Sequence, residues 1–354
     1  MTIPALKVEG LTVEIARGRE SFRAVDDVSY ALEPARSIGI VGESGCGKSI
    51  SLRAIMGLLP DAARVVAGAV AVHGTGLSLE GKGAARQRRG HLAMIFQDPG
   101  TALNPVQKVG EQIAETPRLV LGETRGRARE RALELLRHVG IADPERRYDS
   151  YPYELSGGTR QRVMIAIALA SQPKVLLCDE PTTALDVTIQ AQILRLLVDL
   201  REEMGLSVVF VTHELALVGQ LCEDVCVMYA SRLVETGPTP AVLERPLHPY
   251  TLGLLRSAVD LDEELEAPKP IPGSLPDPAR RPSGCPFHPR CFLATPECAS
   301  TTVTLTGLGD GRASACLHVE RLLTEDGRAL QEAAAKAAVK PQDPAGTAGG
   351  DGRG

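Results

Sequence analysis

No stretch of this 354-residue chain is apolar for long enough to span a bilayer. The longest uninterrupted runs, such as residues 163–170, reach about half of the ~18 to 20 residues that a spanning helix needs. The start, Met1-Thr2-Ile3-Pro4, lacks the apolar segment of a secretory leader, so no crossing of a membrane and no secretion is expected. A surplus of positive charge is also missing, because 39 Lys and Arg stand against 44 Asp and Glu for a formal net charge of −5. That balance gives no bulk attraction to a phosphate backbone and disfavours nucleic acid as a partner. Internal repeats and heptad arrays are lacking too. With no leader, the eight cysteines belong to a reducing compartment, where core thiols and metal ligands are commoner than disulfides.

What is present is globular composition, 44% apolar and 23% charged, enough for a sizeable core in two or three units. Short β-rich runs at 7–15, 37–41 and 92–96 alternate with helical stretches, the pattern of an α/β fold. Across 124–139 the apolar residues Ala128, Ala132, Leu135, Leu136 and Val139 recur at three- and four-residue steps, which predicts an amphipathic helix with a solvated basic face. The runs 175–178 and 208–212 read as buried parallel strands joined by a helix over 189–204. Beyond residue 257 the composition shifts to an acidic run at 260–266 and closely spaced prolines from Pro268 to Pro282, which predicts an extended linker or wrap. Residues 336–354, rich in Ala, Gly, Pro and Asp, predict a disordered tail.

Gly42-Glu43-Ser44-Gly45-Cys46-Gly47-Lys48-Ser49 fits GxxxxGK[ST] between an expected strand and an expected helix. Its glycines let successive N–H groups turn inward onto a phosphate, Lys48 reaches the β- and γ-phosphates, and Ser49 supplies an oxygen to Mg²⁺. Cys46 is expected to fill space, with a reactive thiol as the alternative, since a helix N-terminus lowers a thiol pKa. Asp179 and Glu180 end the apolar run 175–178: Asp179 is expected in the Mg²⁺ shell, and Glu180 as the base that orients and deprotonates water. Cys178 reads as a core residue.

Leu155-Ser156-Gly157-Gly158-Thr159-Arg160-Gln161-Arg162 opens a further helical run. With it the chain resembles an ATP-binding-cassette ATPase, whose LSGGQ-like signature serves the γ-phosphate held by the opposite subunit. The resemblance covers about residues 5–257. It implies that Ser156, Gly157 and Gly158 complete a partner's site, that Gln97 is the Q-loop glutamine and a Mg²⁺ ligand, that Ala184-Leu185-Asp186 is the D-loop, and that His213 is the switch histidine. The implied fold is an α/β P-loop NTPase with an antiparallel β subdomain and a helical signature subdomain at about 98–168. The family usually stacks an aromatic residue on adenine near the end of the first strand. Ile15 stands there, with Phe22 too far along, which implies weak base stacking.

Three segments outside the catalytic core resemble the dipeptide, oligopeptide and nickel importer ATPases: the stretch from Phe96 to Pro105, the segment Arg245-Pro246-Leu247-His248-Pro249-Tyr250-Thr251, and Cys285-Pro286-Phe287-His288-Pro289-Arg290-Cys291. Cys285, Cys291, Cys298 and Cys316 lack the C-x₂₋₄-C knuckle of structural zinc sites, whereas a [4Fe–4S] cluster tolerates wider gaps. The resemblance supports the cluster; zinc and unligated thiols remain open. Cys222 and Cys226 are expected in the core. The implied function is hydrolysis of ATP, at the cytoplasmic face of the membrane, to power import of di- or oligopeptides. The implied partners are a second, different cassette subunit, two transmembrane permeases and, indirectly, an extracytoplasmic peptide-binding protein. Nickel import and a soluble cassette acting on nucleic acid are the alternatives. The expected organisation is a nucleotide-binding domain over 1–257, a small loop-rich extension carrying the cysteines over 258–335, and the tail.

Overall fold

The structure, a computed structural model, describes residues 2–18, 20–79, 87–183, 185–257 and 271–324. The acidic run 260–266, Pro268, Pro270, Ala184 and the tail 336–354 lie outside the described residues.

The strands are β1 (Leu6–Arg17), β2 (Glu20–Leu32), β3 (Ser37–Val41), β4 (Ala63–Val72), β5 (Thr75–Leu77), β6 (Leu92–Ile95), β7 (Val175–Asp179), β8 (Ser207–Thr212), β9 (Asp224–Tyr229), β10 (Arg232–Pro238), β11 (Thr306–Gly309) and β12 (Arg312–Ser314). They form a four-stranded antiparallel sheet in the order β2-β1-β4-β5 and an eight-stranded sheet in the order β11-β12-β10-β9-β3-β8-β7-β6. Within the larger sheet β9, β3, β8, β7 and β6 pair in parallel. Every residue of β3, β6, β7 and β8 is buried, which is why these strands read as unbroken apolar runs rather than alternating ones. In the smaller sheet Leu6, Val8, Leu11 and Val13 of β1 face the core.

Parallel strands need crossovers, and helices supply them. Helix α1 (Lys48–Met56) follows β3. Three longer helices, α2 (Val109–Val120), α3 (Arg125–His138) and α4 (Gly157–Leu169), stand between β6 and β7. Thr124 caps α3 by accepting the Arg127 N–H, and Ala128, Ala132 and Leu136 form its buried stripe. Gly110 lets α2 lie against the Tyr148 ring, since a Cβ there would fall 2.1 Å from it. Helix α5 (Val187–Met204) links β7 to β8, and α6 (Leu215–Leu221) follows β8. Cys222 ends α6 while Cys226 lies on β9, and both thiols are buried.

Residues on the two sides of position 257 share one sheet and one core. Strand β12 extends the larger sheet by pairing Ser314 with Glu235 and Ala313 with Thr236 of β10. Phe287 packs edge-on to Tyr229 and Tyr250, with ring centroids 5.1 and 5.4 Å away. Glu235 ties these pieces together. Fully buried, its carboxylate accepts the Leu247 and His248 N–H groups at 2.7 and 3.0 Å and pairs with Arg312 at 2.9 Å. His248, opening helix α7 (Pro249–Ser257), is held neutral because burial pushes its pKa down to about 3, and its Nδ1 accepts the Tyr250 N–H at 3.1 Å.

Burial pushes the Glu235 carboxyl up to about 7, against the N–H groups and Arg312, which favour its ionised form. A raised folded-state pKa means stability that is complete below the ordinary carboxylate range and lost as pH rises through about 7. The advantage in unfolding free energy of wild type over Glu235→Gln should therefore shrink between pH 5 and 8, by roughly 1 to 3 kcal/mol. Urea unfolding at several pH values reads this, and a pH-independent difference would refute it.

Candidate functional site

The loop from Gly42 to Gly47 runs from the end of β3 into α1. Glycine is needed where its backbone crowds β9 and β2: a Cβ on Gly42 would lie 2.1 Å from the Met228 carbonyl oxygen, and one on Gly47, at φ +111°, 2.2 Å from that of Ala24. Lys48 is buried, and its Nζ donates to the Gly42 and Glu43 carbonyls at 2.6 and 3.1 Å. The ammonium thus lies back over the loop where a polyphosphate would rest. Cys46 is buried between the loop and the core, and burial raises its thiol pKa despite nearby Lys48. Burial thus works against the lowered thiol pKa that the reactive-thiol alternative requires.

Four parallel strand ends converge here. From β7, Asp179 accepts a hydrogen bond from Ser49 Oγ at 2.6 Å, and burial pushes its carboxyl above the ordinary value. The next residue, Glu180, sits in the left-handed region at φ +45°, held by its N–H on the Val211 carbonyl at 3.0 Å. Such strain persists only where surroundings enforce it. The turn aims the Glu180 carboxylate into the cleft, where it accepts from Gln97 Nε2 at 3.2 Å and Thr183 Oγ1 at 3.0 Å. His213 Nδ1 lies 3.5 Å and Lys48 Nζ 3.9 Å from the same carboxylate. The His213 contact holds Glu180 below the usual carboxylate range although burial opposes it, and the same contact raises His213. Gln97 therefore meets Glu180 directly, a pairing that motif order alone did not reveal.

The cleft over the loop is lined by Ser44, Gly45, Gly47, Lys48, Ser49, Gln97 and Glu180, with Ile15, Phe22, Ala24, Ile50 and Pro278 as its apolar walls. Phe22 corrects an expectation. Seven positions beyond Ile15, it is nevertheless Ile15's direct cross-strand partner, because the β1–β2 hairpin folds it back. An aromatic ring does face the cleft. Pro278 was invisible to motif reasoning, since no spacing links it to the loop.

The remaining expected residues gather elsewhere. Ser156 caps α4 by accepting the Thr159 N–H, and Asp186 caps α5 by accepting the Ile189 N–H at 3.0 Å. A Cβ on Gly158 would lie 2.7 Å from Ile189, and one on Gly157 3.8 Å from Leu185. Ser156, Gly157, Gly158 and Asp186 thus form one surface apart from the cleft, and none of them lines it.

Cys285, Cys291, Cys298 and Cys316 line a second, small pocket with His248, Phe287, His288 and His318, and all four thiols are free. The Leu293 N–H donates to Cys291 Sγ at 3.3 Å and the His318 N–H to Cys316 Sγ at 3.4 Å. Burial pushes the Cys291 thiol up to about 11 and that of Cys316 to about 12. Among the described residues no group of three or more His, Cys, Asp or Glu is placed to hold a metal ion. His288 Nδ1 contacts the Cys285 carbonyl at 2.9 Å.

A glycine-walled loop, a lysine laid over it, and paired acids at the end of the adjoining strand are the parts of a P-loop nucleotide hydrolase. Comparison with known proteins agrees. Residues 25–183 match the family described as ABC transporter, and residues 234–298 that described as Oligopeptide/dipeptide transporter, C-terminal region. A peptide import ATP-binding protein of Brucella abortus (strain 2308) is 48% identical over 92% of this chain and 97% of its own length. The dipeptide transport ATP-binding protein DppD of Escherichia coli (strain K12) is 46% identical over 88% of this chain and 95% of its own. Among solved structures, the dimeric cassette MJ0796 bound to ADP and Pi aligns with a TM-score of 0.59 at 28% identity, covering 66% of this chain and 98% of that one. The chain belongs to the ABC transporter ATP-binding family, in the group that carries the oligopeptide/dipeptide transporter C-terminal region.

If Phe22 supplies the stacking surface, Phe22→Ala should weaken ATP binding by about tenfold, within the 1 to 3 kcal/mol typical of base–aromatic contacts, with little change in inorganic triphosphate binding. Equal losses for both ligands, measured by calorimetry, would place the base elsewhere.

Proposed function

We propose that the chain is the ATP-hydrolysing subunit of an importer of dipeptides or oligopeptides, peripheral to the cytoplasmic face of the membrane. It works there with a second, different cassette subunit, two permeases and an extracytoplasmic binding protein. The peptide relatives aligned along nearly the whole chain support this cargo. Among the described residues no helix is long and apolar enough to cross a membrane, so passage of solute falls to the permeases.

The observation that carries the mechanism is the convergence of Lys48, Gln97, Thr183 and His213 on Glu180. Lys48 turns from the loop carbonyls to the β- and γ-phosphates. Ser49 and Asp179, an all-oxygen pair 2.6 Å apart, suit Mg²⁺, and Gln97, which lines the same cleft as Ser49, would add its side-chain oxygen. Bound there, the ion would neutralise phosphate charge. Glu180, kept ionised by His213, accepts the proton of the attacking water, and His213 holds the carboxylate in place. Ser156 to Gly158 and Asp186, on their separate surface, close over the nucleotide of the opposite cassette. Binding two nucleotides thus draws the cassettes together, a population shift driven by γ-phosphate contacts, and hydrolysis releases them. The loop from Gln97 to Pro105 carries the movement to the permeases.

The four-cysteine pocket is the part of this reading that concerns a [4Fe–4S] cluster. A cluster takes each thiolate on a different iron, so four sulfurs around a shared pocket suffice. The N–H groups aimed at Cys291 and Cys316 suit thiolate ligands. Such a group would cross-link loops with few regular elements of their own.

Glu180→Gln in the assembled transporter should bind ATP and hold the paired state while hydrolysis falls about 10² to 10⁴-fold; normal turnover would remove Glu180 from the mechanism. Anaerobically purified protein should contain about four iron and four sulfide per chain. Stoichiometric zinc, or metal-free protein with four titratable thiols in this pocket, would refute the cluster.

A further inference from the structure

Glu43 is the second residue of the phosphate-binding loop, a carboxylate placed where an anion is to be bound. Unopposed, it would repel a polyphosphate through a site of low effective dielectric. The structure opposes it with Arg290, far along the chain and next to Cys291. The guanidinium forks over the carboxylate, Nη1 to Oε2 at 2.7 Å and Nη2 to Oε1 at 2.9 Å. Arg290 is itself held: its side chain is nearly buried, and its Nε donates to the Pro272 carbonyl at 2.8 Å. A second strap reaches the same loop residue, since the Glu43 N–H donates to Tyr250 Oη at 2.8 Å.

We propose that Arg290 is a positioning residue of the nucleotide site: by neutralising Glu43 and fixing the loop, it makes ATP affinity depend on the cysteine-bearing C-terminal segment. A bidentate fork fixes both the charge and the plane of the carboxylate, and a lysine, with a point charge and no fork, does only the first. Glu43 in turn passes the restraint to the backbone that Lys48 leans on. The segment is thereby a component of the phosphate site rather than an appendage to it.

The inference rests on the nucleotide reading of the loop, so the test includes Lys48→Ala. Purified full-length variants are titrated with a fluorescent ATP analogue, and thermal stability and metal content are recorded on each sample. Arg290→Ala should weaken binding about tenfold and Arg290→Lys by less, while Glu43→Gln serves as the reference background in which no carboxylate needs neutralising. The deciding measurement is Arg290→Ala in the Glu43→Gln background. With no carboxylate to neutralise, the double variant should bind within about twofold of Glu43→Gln alone. In the assembled transporter Arg290→Ala should raise KM for ATP and leave kcat within about twofold. Tenfold loss in both backgrounds would reduce Arg290 to a structural staple, and unchanged affinity in Arg290→Ala would overturn the inference outright. If Arg290→Ala does not fold, Arg290→Lys with and without Glu43→Gln carries the same cycle. Wild type and Lys48→Ala binding equally poorly would instead defeat the nucleotide reading.

Discussion

Parallel pairing of β3 with β8 and β9, and of β7 with β6 and β8, is the constraint on which the rest of this molecule depends. Parallel strands end on the same edge of the sheet, so whatever follows each one emerges at the same place. Here the residues that follow are the phosphate loop after β3, Gln97 beyond β6, Asp179 and Glu180 at β7, and His213 beyond β8. Residues dispersed over nearly half the chain, from Gly42 to His213, thus meet at one edge, and both faces of the sheet must be buried for that to be stable. Helices on one face and the antiparallel sheet with α1 on the other meet this demand.

Electrostatics at that edge is a balance of close, opposed charges. Lys48 is buried among its own loop's carbonyls, Asp179 is buried against Ser49, and Glu180 is shared by an amide, a hydroxyl, an imidazole and the Lys48 ammonium. Each group has partners inside the protein that a phosphate, a cation or a water can replace. In the proposed mechanism such a site binds by exchange of contacts, which would couple its closure to the γ-phosphate. The left-handed backbone at Glu180 belongs to the same design, since an extended residue there would point its carboxylate elsewhere.

The C-terminal segment enters this balance from outside the sheet. It adds a hairpin to one edge through β12, packs Phe287 edge-on against Tyr229 and Tyr250, and sets Pro278 in the wall of the cleft. It also brings Arg290 to Glu43. A loop-rich region of this kind holds shape through what it grips, and it grips the nucleotide site on one side and a four-cysteine pocket on the other.

The α/β alternation, the phosphate loop, the acidic pair and the amphipathic helix with Ala128, Ala132 and Leu136 on one face were all legible in the sequence, because each is a local pattern set by helix or strand periodicity or by glycine. The antiparallel strands β2, β4 and β10 were not, for their pairing is long-range and their composition mixed. Phe22 was misplaced for the same reason: distance along the chain says nothing about a cross-strand neighbour. By itself, then, the sequence determined which chemistry the chain carries, since loop, acids, histidine and cysteines are written as residue types at fixed spacing. Only the tertiary structure decided which of them act together. It paired Gln97 with Glu180, Phe22 with the cleft and Arg290 with Glu43, because side chains meet by strand order and packing, which no local pattern encodes.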